Sequence, residues 1–178
     1  MNNYRRKKEP IENRQLILDS AMQVIGEVGL AKASLDTIAK RAGLSKGGLL
    51  HHFPKKEALI EELCLSILAG MTELIEAGVN QGMPRHLAYL VASFEDDPDD
   101  IQKMAVQVLL EAGVHDEHYR QILQQWYKDN VIPDFSKSTP QENAAVFLAD
   151  GYWYGNIFGK IQLTKKQRDE MIKMFMEQ

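Results

Sequence analysis

The stretch SLDTIAKRAGLSKGGLLHHF, residues 34–53, decides how the chain reads. Ser34 is of the N-cap type, with a side-chain oxygen that accepts from the free N–H groups of a first helical turn. Leu35, Ile38, Ala39 and Ala42 follow at helical spacing, and Gly43 ends the run. Ser45 caps a second short helix through Lys46 to His52, which Pro54 cannot continue. Two short helices joined by Ala42-Gly43-Leu44-Ser45 have the proportions of a helix-turn-helix. Ile38, Leu44 and Leu49 supply the apolar contacts between them, and small Ala39 lets them cross closely. The second helix then keeps its outward face free for a DNA major groove. A plain helical hairpin with a glycine turn gives the same pattern.

The outward residues suit a polyanion. Lys46 reaches a phosphate or a guanine edge, and Gly47 and Gly48 keep the helix start thin. Glycine costs ~1 kcal/mol relative to alanine in a helix, so two together suggest a close backbone approach. His51 and His52 donate to phosphates. Ser34, Thr37, Ser45 and the first-turn N–H groups do the same, with Lys55 and Lys56 at the flank. Residues 1–56 carry 11 Lys/Arg against 5 Asp/Glu, a balance of +6, whereas residues 57–178 carry 10 against 20, a balance of -10. A basic head on an acidic body places a polyanion at the head alone, although a solvated basic face has the same composition.

The remainder of the 178 residues reads as helix. Ile17, Ala21, Val24, Ile25 and Val28 give a helix over 11–28 ending at Gly29. A long helix starts near Lys55, with Leu59, Leu63, Ile67, Met71 and Leu74 on one face. Helices follow over 85–94, 101–112, 117–131 and 141–160, with an acidic loop at 95–100. The last is started by a capping box, Thr164 with Gln167. No strand-like alternation or internal repeat is present. The fold class is all-α, about nine helices, with a head at 1–56 and a helical body at 57–178. No apolar run approaches the ~18 residues that span a bilayer. The basic start has no apolar stretch behind it, which predicts no secretory signal, and the single Cys64 fits a reducing cytoplasm.

Ile38 to Gly47, then Leu49, His52, Phe53, Pro54, Lys55, Lys56, Glu57, Ala58 and Leu59, closely resemble the DNA-binding domain of TetR-family transcriptional repressors. The resemblance implies a three-helix DNA-binding domain. A fourth helix would link it to an all-helical ligand-binding and dimerisation domain. In that family a tyrosine just before the His52-Phe53 position, or one residue earlier, often touches phosphate; Leu50 and His51 stand there, and His51 is the substitute. Leu148 to Trp153 also looks like the family's penultimate helix. The cluster Arg5, Arg6, Lys7 and Lys8 reads as a flexible arm on DNA or as a solubilising tail.

On the helix over 141–160, Ala144, Leu148, Gly151, Gly155 and Gly159 lie along one stripe. Such a stripe weakens the helix unless it is packed. The family's four-helix interface makes it the dimer contact, completed by Met171, Ile172 and Phe175; packing within its own subunit is the alternative. Phe147, Asp150, Trp153, Tyr154 and Ile157 fall on another arc, expected to face inward. With Met71, Leu74, Leu90, Phe94, Val108 and Trp126 they line a cavity, or else simply fill a core. Asp150 among rings predicts a lipophilic, aromatic cation as effector, with Glu111 as a second carboxylate; a nearby Lys, Arg or backbone donor would serve Asp150 equally.

The reading is therefore a cytoplasmic homodimeric repressor of a palindromic operator, needing no cofactor, released by a small molecule, and neither enzyme nor membrane protein. The alternatives are a helical interaction module or a metal-dependent enzyme. His115-Asp-Glu-His118 lacks the order of a zinc protease and has no evident third ligand. Cys64 reads as a small buried hydrophobe.

Overall fold

A computed structural model describes the backbone of residues 2–94, 100–159 and 163–176, and the side chains of these from residue 11 onward. The side chains of Arg5, Arg6, Lys7 and Lys8, the acidic loop at 95–99 and Lys160 lie outside the described residues. The described residues form nine helices and no strand: α1 (Asn2–Val28), α2 (Leu35–Arg41), α3 (Lys46–His52), α4 (Lys56–Asn80), α5 (Arg85–Phe94), α6 (Asp100–His115), α7 (Glu117–Asn130), α8 (Pro140–Ile157) and α9 (Lys165–Met176).

The boundaries follow from local chemistry. Ser34 Oγ accepts from Thr37 N at 3.1 Å and Ser45 Oγ from Gly48 N at 3.0 Å, so both short helices carry side-chain caps. Gly43 between them has φ +69°, a conformation open to glycine at no steric cost. Thr139 and Glu142 form a reciprocal capping box at the start of α8, with Pro140 in its first turn. Thr164 and Gln167 exchange the same bonds ahead of α9. Two expectations change. α1 begins at Asn2, ahead of Ile11. α8 stops at Ile157, and Gly159, at φ +64°, lies in the turn beyond it.

Two apolar clusters hold the chain together. The first joins Ile17, Ala21 and Ile25 of α1 to Ile38, Leu49, Phe53 and the early α4 residues Leu59 to Cys64, and is closed by Val108, Ala112 and Tyr119 from α6 and α7. The second joins Ile75 near the end of α4 to α5, Val131, Ile132 and the inner face of α8. Helix α4 thus runs from one cluster into the other, and α6 forms part of the floor on which the head rests.

Candidate functional site

Helix α3 presents an exposed outer edge. Lys46, Gly47 and His51 are exposed, as are Ser34, Thr37, Ser45 and Lys55 around them; Gly48 and His52 are half-buried. Lys46 Nζ donates to Asp36 Oδ2 at 3.1 Å, so its ammonium is held by a carboxylate one helix away. A Cβ on Gly48 would come within 3.3 Å of Ser45 Oγ, so this glycine also keeps the cap of α3 uncrowded. Lys56 is turned inward and donates to the Leu30 carbonyl at 2.6 Å.

Several residues that fix this face carry no motif. Arg14 of α1 lies over the Phe53 ring at 4.3 Å, donates through Nη1 to the His52 carbonyl at 3.0 Å, and pairs bidentately with Glu62 of α4. One guanidinium therefore ties α1, the end of α3 and α4 together. Arg41 forks onto Glu27 at 2.6 and 2.9 Å, binding α2 to α1; this exposed pair holds the Glu27 carboxyl below its ordinary range. Such long-range partners leave no sequence signal beyond their charge.

Glu111 of α6 accepts from the Leu30 N–H at 2.5 Å and from Gln107 at 2.7 Å. With Lys56 on its carbonyl, Leu30 is gripped by the first turn of α4 on one side and by α6 on the other. Glu111→Ala orphans that N–H, and since Leu30 is half-exposed the cost is at the lower end of the ~1–3 kcal/mol for a lost partner. The melting temperature should fall by about 2–4 °C per kcal/mol. An unchanged melting temperature would mean that water replaces the carboxylate fully.

A cavity of about 810 Å³ opens within the body, walled by α1, α4, α5, α6, α7 and α8. Asp150 stands in its wall and accepts from Tyr89 Oη at 2.6 Å and Tyr127 Oη at 2.7 Å. Burial pushes the Asp150 carboxyl up, and the two hydroxyls pull it partly back down. Its hydrogen-bond partners are these two hydroxyls; Arg120, which lines the same cavity, donates instead to Glu117 and to the Gly113 and Val114 carbonyls. Trp126, Trp153 and Tyr154 share the cavity wall. Trp126 is oriented by donating to Thr72 Oγ1 at 2.8 Å. The Trp153 Nε1 is buried without a hydrogen-bond partner. Burial also raises the hydroxyls of Tyr89 and Tyr127, which stay protonated and serve as donors.

The cavity includes Met71, Leu74, Trp126, Asp150, Trp153 and Tyr154, but five residues expected there lie elsewhere. Phe147 is 65% exposed and stacks on Phe135, because it lies on the outer row of α8 with exposed Ala144 and Gly151. Leu90 and Phe94 are fully in the core, with Phe94 against Tyr152 at 4.7 Å; Tyr89 and Ala92 supply the cavity face of α5. Val108 and Glu111 point to the head, one in its core and one on Leu30. Neither Tyr89 nor Tyr127, the partners of Asp150, was among the expected residues. Partnered Asp150 contacts hydroxyls, not the Lys, Arg or backbone donor also considered.

On the outer side of α8, Ala144 and Gly151 are exposed and Gly155 is half-buried, whereas Leu148 packs against the second cluster, so only part of the small-residue stripe is left without a neighbour in its own subunit. Met171 and Phe175 are half-buried against the second cluster. In the His115–His118 segment, Asp116 caps α7 by accepting from His118 N at 2.8 Å, while His118 faces Glu61 at 3.2 Å. Cys64 is buried, and burial, with Glu61 adding to it, pushes its thiol up to about 12, which leaves it unreactive.

A capped helix-turn-helix with a basic outer edge, set on a helical body with its own cavity, is the build of a DNA-binding regulator. Residues 17–63 match the family model for bacterial regulatory proteins of the tetR family. The head is therefore similar to the DNA-binding domain of TetR-family regulators, and the chain as a whole shares the fold of a solved member of that family. It is 27% identical over 185 residues to the HTH-type transcriptional regulator BetI of Yersinia pestis, covering 96% of this chain and 93% of the relative. Among solved structures it resembles a member of the TetR family from Streptomyces coelicolor A3, with a TM-score of 0.71 at 19% identity, covering 92% and 98% of the two chains. It also resembles the multidrug binding protein EbrR complexed with imidazole, with a TM-score of 0.67 at 18% identity, covering 92% and 89%. The relatives in sequence are transcriptional regulators, not enzymes. No described helix is long and apolar enough to cross a membrane.

Proposed function

We propose that this chain is a cytoplasmic repressor that binds a palindromic operator as a homodimer and lets go when a lipophilic cation enters the body. Residues 1–56 serve as the DNA-binding unit and residues 57–178 as the effector-binding and dimerisation unit. The observation that carries the reading is Asp150: a carboxylate raised by burial and held by two neutral hydroxyls, in a wall with Trp126, Trp153 and Tyr154. A cationic guest supplies the missing charge, and each desolvated ring adds ~0.5–2 kcal/mol. The same fold in EbrR, a multidrug binding protein, accommodates a small organic molecule.

For the dimer, the support is exposed apolar surface. Phe147 is 65%, Phe158 71% and Met174 67% exposed, and a Cβ on Gly151 would meet nothing within 4 Å. A second copy of α8 and α9 covers such a face, in keeping with a two-fold operator. The DNA contacts fall to Lys46, His51, Ser34, Thr37, Ser45, Lys55 and the Gly47-Gly48 edge, with His52 and Lys56 set behind them.

Selection from random duplexes tests the reading. The protein should recover a palindrome whose half-sites are one or more DNA turns apart, ~34–36 Å per turn. The logarithm of its affinity should fall linearly with log salt, at ~0.9 per phosphate neutralised. Recovery of no symmetric site, or a salt-independent affinity, would overturn it. Cationic dyes should then release the selected duplex while neutral and anionic dyes of equal size should not.

A further inference from the structure

The cavity is not confined to the Asp150 end. Along α4 it is lined by Leu63, Ser66, Ile67, Gly70, Met71 and Leu74, and it continues to Leu18 and Met22 of α1. The Asp150 end is fixed beside Thr72 through Trp126, whose ring also meets Tyr89 at 6.2 Å. The other end is fixed at Leu63, which packs with Leu18 in the core of the head. Leu63 and Thr72 are nine residues apart on one helix, or ~14 Å at 1.5 Å per residue. Asp150 and its two tyrosine hydroxyls mark the first end, and the inner wall of the far end is aliphatic, with Leu18, Met22, Leu63, Ile67 and Leu109, while exposed Gln15 and Asp19, bonded to each other, stand at its rim. Leu18 is thus at once a wall of the cavity and a member of the head's core.

Resting on the cationic reading of Asp150, we propose that the effector is a single-chain amphiphile, with a cationic head at Asp150 and an alkyl tail lying along α4. The length of that tail decides whether binding releases DNA. A head alone occupies the aromatic end and touches only the body. A tail that reaches Leu18 and Met22 presses on the helix around which the head is packed, and so favours an arrangement of the heads that no longer fits the operator. An extended chain advances ~1.2 Å per bond, from ~3.6 Å per three-bond residue, so the ~14 Å corridor takes about twelve bonds. Shorter members of a series bind without releasing; they compete with longer ones.

The test uses the full-length protein, its selected duplex and alkyltrimethylammonium ions from tetramethyl to dodecyl, below micelle formation, with dodecanol as the uncharged control. The chain has 2 tryptophans, Trp126 and Trp153, and both line the cavity, so intrinsic fluorescence reports occupancy while DNA anisotropy reports release. Affinity should rise about fourfold per methylene, as for buried apolar carbon, and release should appear only in the longest members. Gly70→Leu adds a side chain where a Cβ meets nothing within 4 Å, so it blocks the corridor with no backbone clash. It should leave tetramethylammonium binding unchanged and weaken the dodecyl ion by about 100-fold or more, abolishing release. Ammonium ions that bind with no gain along the series, or a tetramethyl ion that releases DNA fully, would overturn the corridor and leave the Asp150 reading standing. Dodecanol binding as tightly as the dodecyl ion would overturn the cationic reading itself, and the proposal with it.

Discussion

Asp150→Asn should weaken binding of a cationic effector by about 30-fold while making the free protein more stable. The loss is the low end of the ~2–5 kcal/mol that follows removal of one partner of a desolvated charge pair. The gain in stability has a separate origin. The carboxyl is raised above its ordinary 3.8, chiefly by burial, so its ionised form is disfavoured in the folded chain relative to the unfolded one. Between the two pKa values the folded state binds more protons, and stability falls as pH rises through that window. Above it the cost is constant. Asparagine retains an acceptor for the Tyr89 and Tyr127 hydroxyls and carries no charge, so the variant escapes that cost. Its advantage in melting temperature should be greatest at neutral pH and vanish as pH approaches the unfolded value.

The same titration governs binding with the opposite sign. A cation selects the ionised carboxylate, so effector affinity should climb as pH rises through the raised pKa and then level off. Tyr127→Phe removes one of the two hydroxyls that pull the pKa down. It should therefore move the acid limb of that profile to higher pH. A profile identical in wild type and Asp150→Asn would remove this carboxylate from effector binding.

The head was legible in the sequence because its determinants are local. Ser34 and Ser45 act on N–H groups three residues away, and Gly43 on its own φ, so caps and turn can be placed without any knowledge of neighbours. The cavity was only half legible because helical spacing puts residues on a common face without saying what that face meets. Phe147 and Asp150 are three apart on α8, yet one stacks outside on Phe135 and the other accepts two tyrosine hydroxyls inside. The ring of Trp126 could be assigned to a wall, whereas Tyr89, from a helix 61 residues before Asp150, could not be joined to it by any local rule. Arg14 escaped for the same reason: its three partners, the His52 carbonyl of α3, Glu62 of α4 and the Phe53 ring, are brought together only by the tertiary fold.

Two substitutions at the Lys46–Asp36 pair should move DNA affinity in opposite directions. In the free protein the ammonium rests on Asp36 at 3.1 Å, both side chains more than half exposed, so the pair itself contributes little to stability. On DNA the ammonium must leave Asp36 for a phosphate or a guanine edge. Lys46→Glu removes one charge-assisted hydrogen bond, worth ~1.5–3 kcal/mol or about 10–150-fold, and sets a like charge against both the phosphates and Asp36. Affinity should fall by about 100-fold at low salt, and Lys46→Ala should lower the salt slope by ~0.9. Asp36→Asn frees the ammonium and takes a carboxylate away from the backbone, so it should tighten binding by a few-fold. That gain has a structural cost, because Asp36 lies in the first turn of α2, where a negative charge stabilises the helix by ~0.3–1 kcal/mol. The variant should therefore bind DNA more tightly and melt slightly earlier. If Asp36→Asn weakened binding instead, Asp36 would be orienting Lys46 toward DNA through their ion pair, and the carboxylate would belong to the recognition surface.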